Sequence, residues 1–345
     1  MIDVLIIGGG IAGIETACSL QDMGYETVVV EKEKNIGGNV NNWDSLFPTF
    51  RNASEVLSHY TDETRKRALT IYLNTNVISI KKLEDNTFEI QTSRDVVFRS
   101  KSVILASGYS VFNAERKEEY GYKIYDNVLT SVDLEKKFKQ LNGQEFVTPT
   151  GKVPQKIAFI HCVGSRDEKS GNHYCSKLCC VTAVKQAIHI KQLFPQADVF
   201  CCYMDLRMYG QGFEEMYREA QEKYHVQFIR GRLSEVGENA DGTLQLKVED
   251  TLAARPCRIQ VDMLVLMVGM EAAKSTELFK QSCGLQCASN RFVKPLDHHI
   301  GSNETNVPGL FTAGTSIGPM SIFDTINHAK AAAFAVRDYF ISSEL

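Results

Sequence analysis

The 345-residue chain has no apolar run long enough to cross a bilayer. Its longest clean apolar stretches, such as VDMLVLMVGM at 261–270, are strand-sized, whereas a membrane helix needs about 20 such residues. No basic run stands out and the formal net charge is −4, which argues against a dedicated nucleic-acid binder. No basic region with a cleavage site precedes the strand-like segment at Ile2, so no signal peptide is expected and the expected setting is the cytoplasm. Solenoid repeats and low-complexity segments are missing. A nucleophile–base pair is missing too: His161, His298 and His299 stand isolated and read as structural or exposed.

What is there fits a soluble globular protein, with 43% hydrophobic and 23% charged residues. The length exceeds what one hydrophobic core usually serves, so two domains are expected. Four of the ten cysteines fall in HCVGSRDEKSGNHYCSKLCC at 161–180, as Cys162, Cys175, Cys179 and Cys180. A reducing compartment seldom keeps structural disulfides, so such a cluster points to metal or redox chemistry.

The N-terminus reads MIDVLIIGGGIAGIETACSLQDMGYETVVVEKE. Apart from Asp3, Ile2 to Ile7 is a continuous branched apolar run, as a strand buried on both faces should be. Gly8, Gly10 and Gly13 follow in G-x-G-x-x-G spacing and open a helical pattern with Ile14, Ala17, Leu20 and Met23 apolar. Gly24 closes that helix, Thr27–Val30 reads as a second strand, and Glu31 stands at its end. Gly8 permits the tight turn, Gly10 lets backbone approach a pyrophosphate, and Gly13 lets helix and strand pack closely. The helix N-terminus offers free N–H groups and a positive dipole to the phosphates. Glu31 is spaced to accept from the adenosine ribose hydroxyls.

Gly37-Gly38 resembles the second glycine pair of FAD-dependent, disulfide-reductase-like flavoproteins, and SVILASGY at 102–109 resembles the strand closing their first FAD segment. NVPGLFTAGTSIGP at 306–319 resembles their second FAD motif, in which an acid usually follows Ala-Gly. Here that position is Thr315, whose backbone can still serve. The resemblance implies a cofactor-binding set of Gly8, Gly10, Gly13, Glu31, Lys32, Gly38, Asn39, Val77, Ala106, Gly108, Gly314 and Thr315.

Residues 70–100 alternate in short runs and read as antiparallel hairpins inserted in the first domain. The Pro/Gly/Thr-rich EFVTPTGKVPQ marks a boundary. A second β-α-β pattern follows in KIAFIHCVGS, TAVKQAIHIKQLF and ADVFCCYMDLR; 211–224 look helical, and 226–270 return to strands. The expected fold is α/β, with two nested Rossmann-like dinucleotide-binding domains and inserted antiparallel strands, as in thioredoxin reductase. Residues 1–145 and 272–345 would form the FAD domain, and 146–271 the second domain with the cysteine cluster. In that second unit the first strand runs into His161-Cys162-Val163-Gly164 rather than another glycine fingerprint, which disfavours a nicotinamide nucleotide there.

Three readings compete for the thiols. Cysteine often packs as a small hydrophobe, which suits Cys18, Cys201, Cys202 and Cys257, and also Cys283 and Cys287, but not the polar 162–180 segment. A redox dithiol, or zinc as a minor variant, would use Cys175 and Cys179 one helical turn apart. An iron–sulfur cluster would draw Cys162 from a strand end and Cys175, Cys179 and Cys180 from a helix start, with Lys177 and Lys185 helping to hold the anion.

CVGSRDE, YCSKLCC and AVKQA resemble HdrA, the flavoprotein subunit of heterodisulfide reductase, as do YMDLRMYGQGFEEMYREAQ at 203–221 and FIRGR at 228–232. GLFTAGTSIGP and EYGYKIYDNVLTS at 119–131 fit the same family, and the likeness covers nearly the whole chain. It implies a [4Fe–4S] cluster near FAD, held by Cys162, Cys175, Cys179 and Cys180. The chain lacks the ferredoxin-like C-x-x-C-x-x-C-x-x-x-C runs of methanogen HdrA and the cysteines after its F-P-T segment, so bifurcation within this chain is not expected. In that respect it most resembles the short HdrA of the sulfur-oxidising complex, and next the flavoprotein subunit of the quinone-interacting oxidoreductase of sulfate reducers. The implied function is electron transfer with HdrB-like and HdrC-like partners, a lipoate-bound sulfur substrate handled elsewhere, and a homodimer. A stand-alone NAD(P)H-dependent disulfide reductase and a scaffold with structural FAD are the rivals.

Overall fold

The computed structural model describes residues 1–141 and 144–344. The chain divides into two compact units, residues 1–41, 54–110 and 271–345 in the first, and 42–53 and 111–270 in the second.

In the first unit the apolar strand Ile2–Ile7 lies between Thr27–Val30 and Val97–Leu105, parallel to both. Val4, Leu5 and Ile6 are fully buried, which accounts for the unbroken apolar run. The one polar residue in it, Asp3, pairs with Lys101 at 2.7 Å and accepts the Glu26 N–H at 3.0 Å. Val97–Leu105 serves two sheets' worth of pairing. Its first residues pair antiparallel with Phe88–Thr92, which in turn pairs with Val77–Lys82, while its later residues pair parallel with Ile2–Ile7 and Leu310–Thr312. The expected hairpins are therefore those of 77–105. Thr70–Tyr72 differs, adding to Thr27–Val30 as a parallel edge strand. The helix Ile322–Glu344 packs on the helix Ile11–Asp22, where the Thr16 hydroxyl donates to the Ala329 carbonyl at 3.1 Å.

The second unit is a five-stranded parallel sheet in the order Val128–Thr130, Met263–Val268, Lys156–Val163, Asp198–Tyr203, Gln227–Arg230. Alternate side chains feed two cores. Ile157, Phe159, Met263 and Val265 point to the helix side with Val184 and Ile188, whereas Ala158, Ile160, Leu264 and Leu266 face the antiparallel strands Leu233–Glu238, Leu244–Asp250 and Arg255–Val261. Burial on both faces explains the MLVLMV run.

The expected boundary at 145 lies elsewhere. Val128–Thr130 pairs in parallel with Met263–Val268, and the helix Ser131–Gln140 follows from a Thr130/Asp133 capping box, so 111–145 belongs to the second unit. Residues 42–53 are held there too, because Asp44 N–H and Lys185 both bond to the buried Glu135, and Lys185 also donates to the Ser45 carbonyl at 3.0 Å. The return to the first unit falls at 270/271, one residue from the expected 271/272. Among the described residues no helix is long and apolar enough to cross a membrane.

Candidate functional sites

The first site is built on the turn after Ile2–Ile7. Gly8 has φ +114, and a Cβ there would stand 2.3 Å from the Ala106 oxygen; a Cβ at Gly13 would stand 1.9 Å from the Gly8 oxygen. These two glycines let strand, helix and the Ala106 backbone meet. Gly10 is different: nothing lies closer to its Cβ position than the Gly38 Cα at 3.8 Å, while a Cβ on Gly38 would stand 3.2 Å from the Gly10 Cα. The two glycine turns thus face each other across a cradle that side chains would fill, and the Gly37 N–H to Gly9 carbonyl bond at 2.8 Å holds them together.

Glu31 is buried at the end of Thr27–Val30, and its oxygens accept the N–H groups of Gly9 at 2.6 Å and Glu33 at 2.8 Å. Each carboxylate oxygen keeps acceptor capacity for a further donor. Asn39 donates to the Tyr109 carbonyl at 3.1 Å, and Lys32 is exposed beside Glu33. Gly108, with φ +71, faces the Thr315 hydroxyl at 4.0 Å from its Cβ position. Val77 is 3% exposed in the core, so only its backbone is available to a ligand.

The second site sits where Lys156–Val163 ends. Its pairing with Met263–Val268 slips between Ile160 and Val163, and Cys162 takes φ +62, a conformation that side chains other than glycine adopt at a cost. The next helix, Cys179–Leu193, begins with Cys179 and Cys180 and has no side-chain cap on its free N–H groups. The sulfur of Cys179 hydrogen-bonds those of Cys162 and Cys180. By these bonds Cys179 is held protonated, well above the ordinary thiol range, and both neighbours are held below it. Cys180 is further favoured as thiolate by the His161 ring and the Arg207 backbone N–H. Its sulfur also lies 3.5 Å from the Asp205 carbonyl oxygen.

Cys175 is placed differently from expectation. Residues 175–178 are not helical, because Lys177 is left-handed with φ +60, and Cys175 lies on the loop with its sulfur accepting the Lys177 N–H at 3.3 Å. The loop is fixed by Ser176, whose hydroxyl meets Ser165 at 2.6 Å and accepts the Met270 N–H at 2.9 Å.

The expected cations also change. The Lys177 side chain is exposed, and Lys185 is committed to Glu135. Arg166 instead bonds Asp205 at 2.7 Å and interacts with the charges of Cys162 and Cys175. His161, read as isolated, is buried beside Cys180; both its ring nitrogens and Arg166 Nη1 are buried without a hydrogen-bond partner. Sequence reasoning missed Arg166, whose only signal was its place in the CVGSRD segment. His298 and His299 are exposed. Cys18, Cys201 and Cys202 are buried, while Cys283 is half-buried with its thiol donating to the Phe279 carbonyl at 3.0 Å. Among the described residues no group of three or more His, Cys, Asp or Glu side chains is arranged to hold a metal ion.

Residues 2–158 match the family described as pyridine nucleotide-disulphide oxidoreductase. The chain is 33% identical to the HdrA iron-sulfur polypeptide of CoB–CoM heterodisulfide reductase from Methanocaldococcus jannaschii, over 96% of this chain and 63% of that protein. It therefore spans less than two thirds of that relative's length. Among solved structures it is similar to thioredoxin reductase of Lactococcus lactis, with TM-score 0.70, 18% identity and 99% and 100% of the two chains covered. Thioredoxin reductase of T. acidophilum gives TM-score 0.67 at 18% identity, covering 99% and 98%. The chain carries the fold of the pyridine nucleotide-disulphide oxidoreductases, mixed α/β with parallel and antiparallel sheets.

Proposed function

We propose that the chain is an FAD-dependent oxidoreductase subunit that carries FAD and a [4Fe–4S] cluster and transfers electrons within a heterodisulfide reductase-like complex. The observation that carries the reading is the meeting of the Cys162, Cys179 and Cys180 sulfurs at a helix N-terminus, where a nucleotide-binding unit would have its phosphate turn. Similarity to a protein described as an iron-sulfur subunit supports it.

FAD, when bound, supplies a carrier of two electrons. The open cradle between Gly10 and Gly38 fits a pyrophosphate, with Gly8 and Gly13 setting the backbone around it. Glu31 would take the ribose hydroxyls, and Lys32, Asn39, the Val77 backbone, Ala106, Gly108, Gly314 and Thr315 would line the rest. The cluster, when bound, supplies one-electron exchange. Its proposed ligands are Cys162, Cys175, Cys179 and Cys180. The donor chemistry fits: four thiols, two held toward thiolate, with unpartnered N–H groups of His161 and Arg166 suited to an anion beside them. The touching sulfurs are not a preformed ligand shell, so cluster assembly would separate them. Arg166 offsets negative charge, and burial of Cys162, Cys179 and Cys180 excludes water.

HdrB-like and HdrC-like partners, a lipoate-bound sulfur substrate on one of them, sulfur oxidation, a homodimer and a cytoplasmic setting complete the proposal. The fold shared with thioredoxin reductases favours a second reading, a stand-alone disulfide reductase using Cys175 and Cys179. Against it, Cys179 makes its sulfur contacts with Cys162 and Cys180. Anaerobic reduction assays separate the two. Reduced HdrB-like and HdrC-like subunits should bleach the flavin while NADPH alone leaves it oxidised; bleaching by NADPH with turnover of a disulfide would reverse the assignment.

A further inference from the structure

The turn that opens the second cofactor segment is held from behind by a histidine. The strand Leu310–Thr312 ends at Ala313, and Gly314–Ser316 forms one 3-10 turn. Gly314 has φ +64, and a Cβ there would stand 2.7 Å from the Ala12 side chain, so the turn lies against the start of the helix Ile11–Asp22. The Gly314 N–H donates to His328 Nδ1 at 2.9 Å. An accepting ring nitrogen carries no proton, so the neutral ring bears its proton on Nε2. The Ser302 carbonyl accepts from the ring. Asn303 completes the lock, donating to the carbonyls of His328 at 3.0 Å and Thr312 at 2.9 Å.

We propose that neutral His328 is a positioning residue for the cofactor: by accepting the Gly314 N–H it keeps the Ala313–Ser316 turn in its binding form, and a protonated ring, unable to accept, releases that turn and weakens FAD binding. The inference rests on the FAD reading above. Burial pushes the His328 imidazole below its ordinary value, outweighing the Ser302 carbonyl, which acts the other way. Around it stand Asp324 and Lys330 on its own helix, Glu15 and Asp22 on the helix Ile11–Asp22, and Asp297 and Glu304 on the preceding loop. The shift comes from burial and Ser302 rather than from these charges. Affinity is therefore full near neutrality and falls as pH drops through the lowered value.

FAD binding to the full chain, followed by flavin fluorescence from about pH 7.5 to about pH 5 with circular dichroism as a folding control, tests this. In the wild type, Kd should rise by up to tenfold per pH unit below the ring's pKa, roughly one proton's worth. His328→Gln, whose amide can both accept from Gly314 and donate to Ser302, should bind like wild type at neutral pH and lose the acid dependence. His328→Leu should bind weakly at every pH. Identical pH profiles for wild type and His328→Gln, or unimpaired binding by His328→Leu, would overturn the proposal. A wild-type chain that binds no FAD at any pH rejects the FAD reading itself, and this inference with it.

Discussion

Cys162, at the end of a strand, and Cys179, the first residue of the following helix, meet sulfur to sulfur in a hydrogen bond. A left-handed Cys162 at the slip in its strand's pairing accompanies that meeting. If these thiols are cluster ligands, Cys179→Ala should cost the protein its brown iron–sulfur absorption and keep its yellow flavin bands. Loss of the small, buried side chain should lower stability by only about 1 kcal/mol. Visible spectra of anaerobically purified protein, beside a denaturant titration, make the check.

Lys177 offers a test of backbone strain without touching a thiol. Its side chain is exposed and its φ is +60, where glycine avoids a cost of about 1–2 kcal/mol. Part of that gain is returned through glycine's freer unfolded chain. Lys177→Gly should therefore stabilise the protein by roughly 0.5–1 kcal/mol in urea unfolding, with its iron content unchanged. A loss of iron would mean that the Lys177 charge does hold the anion.

The cation beside the thiols is Arg166. Arg166→Gln removes a positive charge near an electron carrier and should make its midpoint potential more negative. A redox titration against Lys177→Gly as control reads this. An unshifted potential would place the cluster away from Arg166.

Acid should loosen the loop that precedes Cys175. Lys117 lies 3.0 Å from Asp167 and 2.9 Å from Glu119. Burial alone would raise both carboxyls, but the hydrogen bonds from Lys117 more than reverse it, so both sit below the usual range. Groups lowered on folding add stability that is present above their unfolded values, about 4, and lost as pH falls through the folded ones. Lys117 is raised, since its bonds to Glu119 and Asp167 outweigh its own desolvation. Its contribution is intact below its unfolded value and lost only at strongly alkaline pH. Lys117→Met strands the buried Asp167 and should cost about 3 kcal/mol at pH 7, with a smaller deficit near pH 3.5. Urea midpoints at the two pH values decide it.

The glycine cradle was legible because each of its signals is local. Strand, turn, helix and Glu31 follow one another within thirty residues, and each glycine answers a close approach visible at Gly8, Gly13 and Gly38. The second unit's limits were not legible: the three-residue strand Val128–Thr130 is assigned by pairing with Met263–Val268, far along the chain. Lys185 was misread for the same reason, since its partner Glu135 is 50 residues away. The helical reading of Cys175 failed at Lys177, because lysine gives no local sign of a left-handed backbone. Gly13→Ala extends the legible part into a test. Its Cβ would meet the Gly8 oxygen at 1.9 Å, so FAD retention should be lost and stability should fall by at least about 1–3 kcal/mol.

The account turns most directly on the contents of the wild-type chain purified without oxygen. Iron and acid-labile sulfide should each be found at about four per chain, with about one FAD, for four thiol ligands at Cys162, Cys175, Cys179 and Cys180. Flavin without iron, together with NADPH oxidation and a titratable dithiol, would contradict the account and make the protein a disulfide reductase.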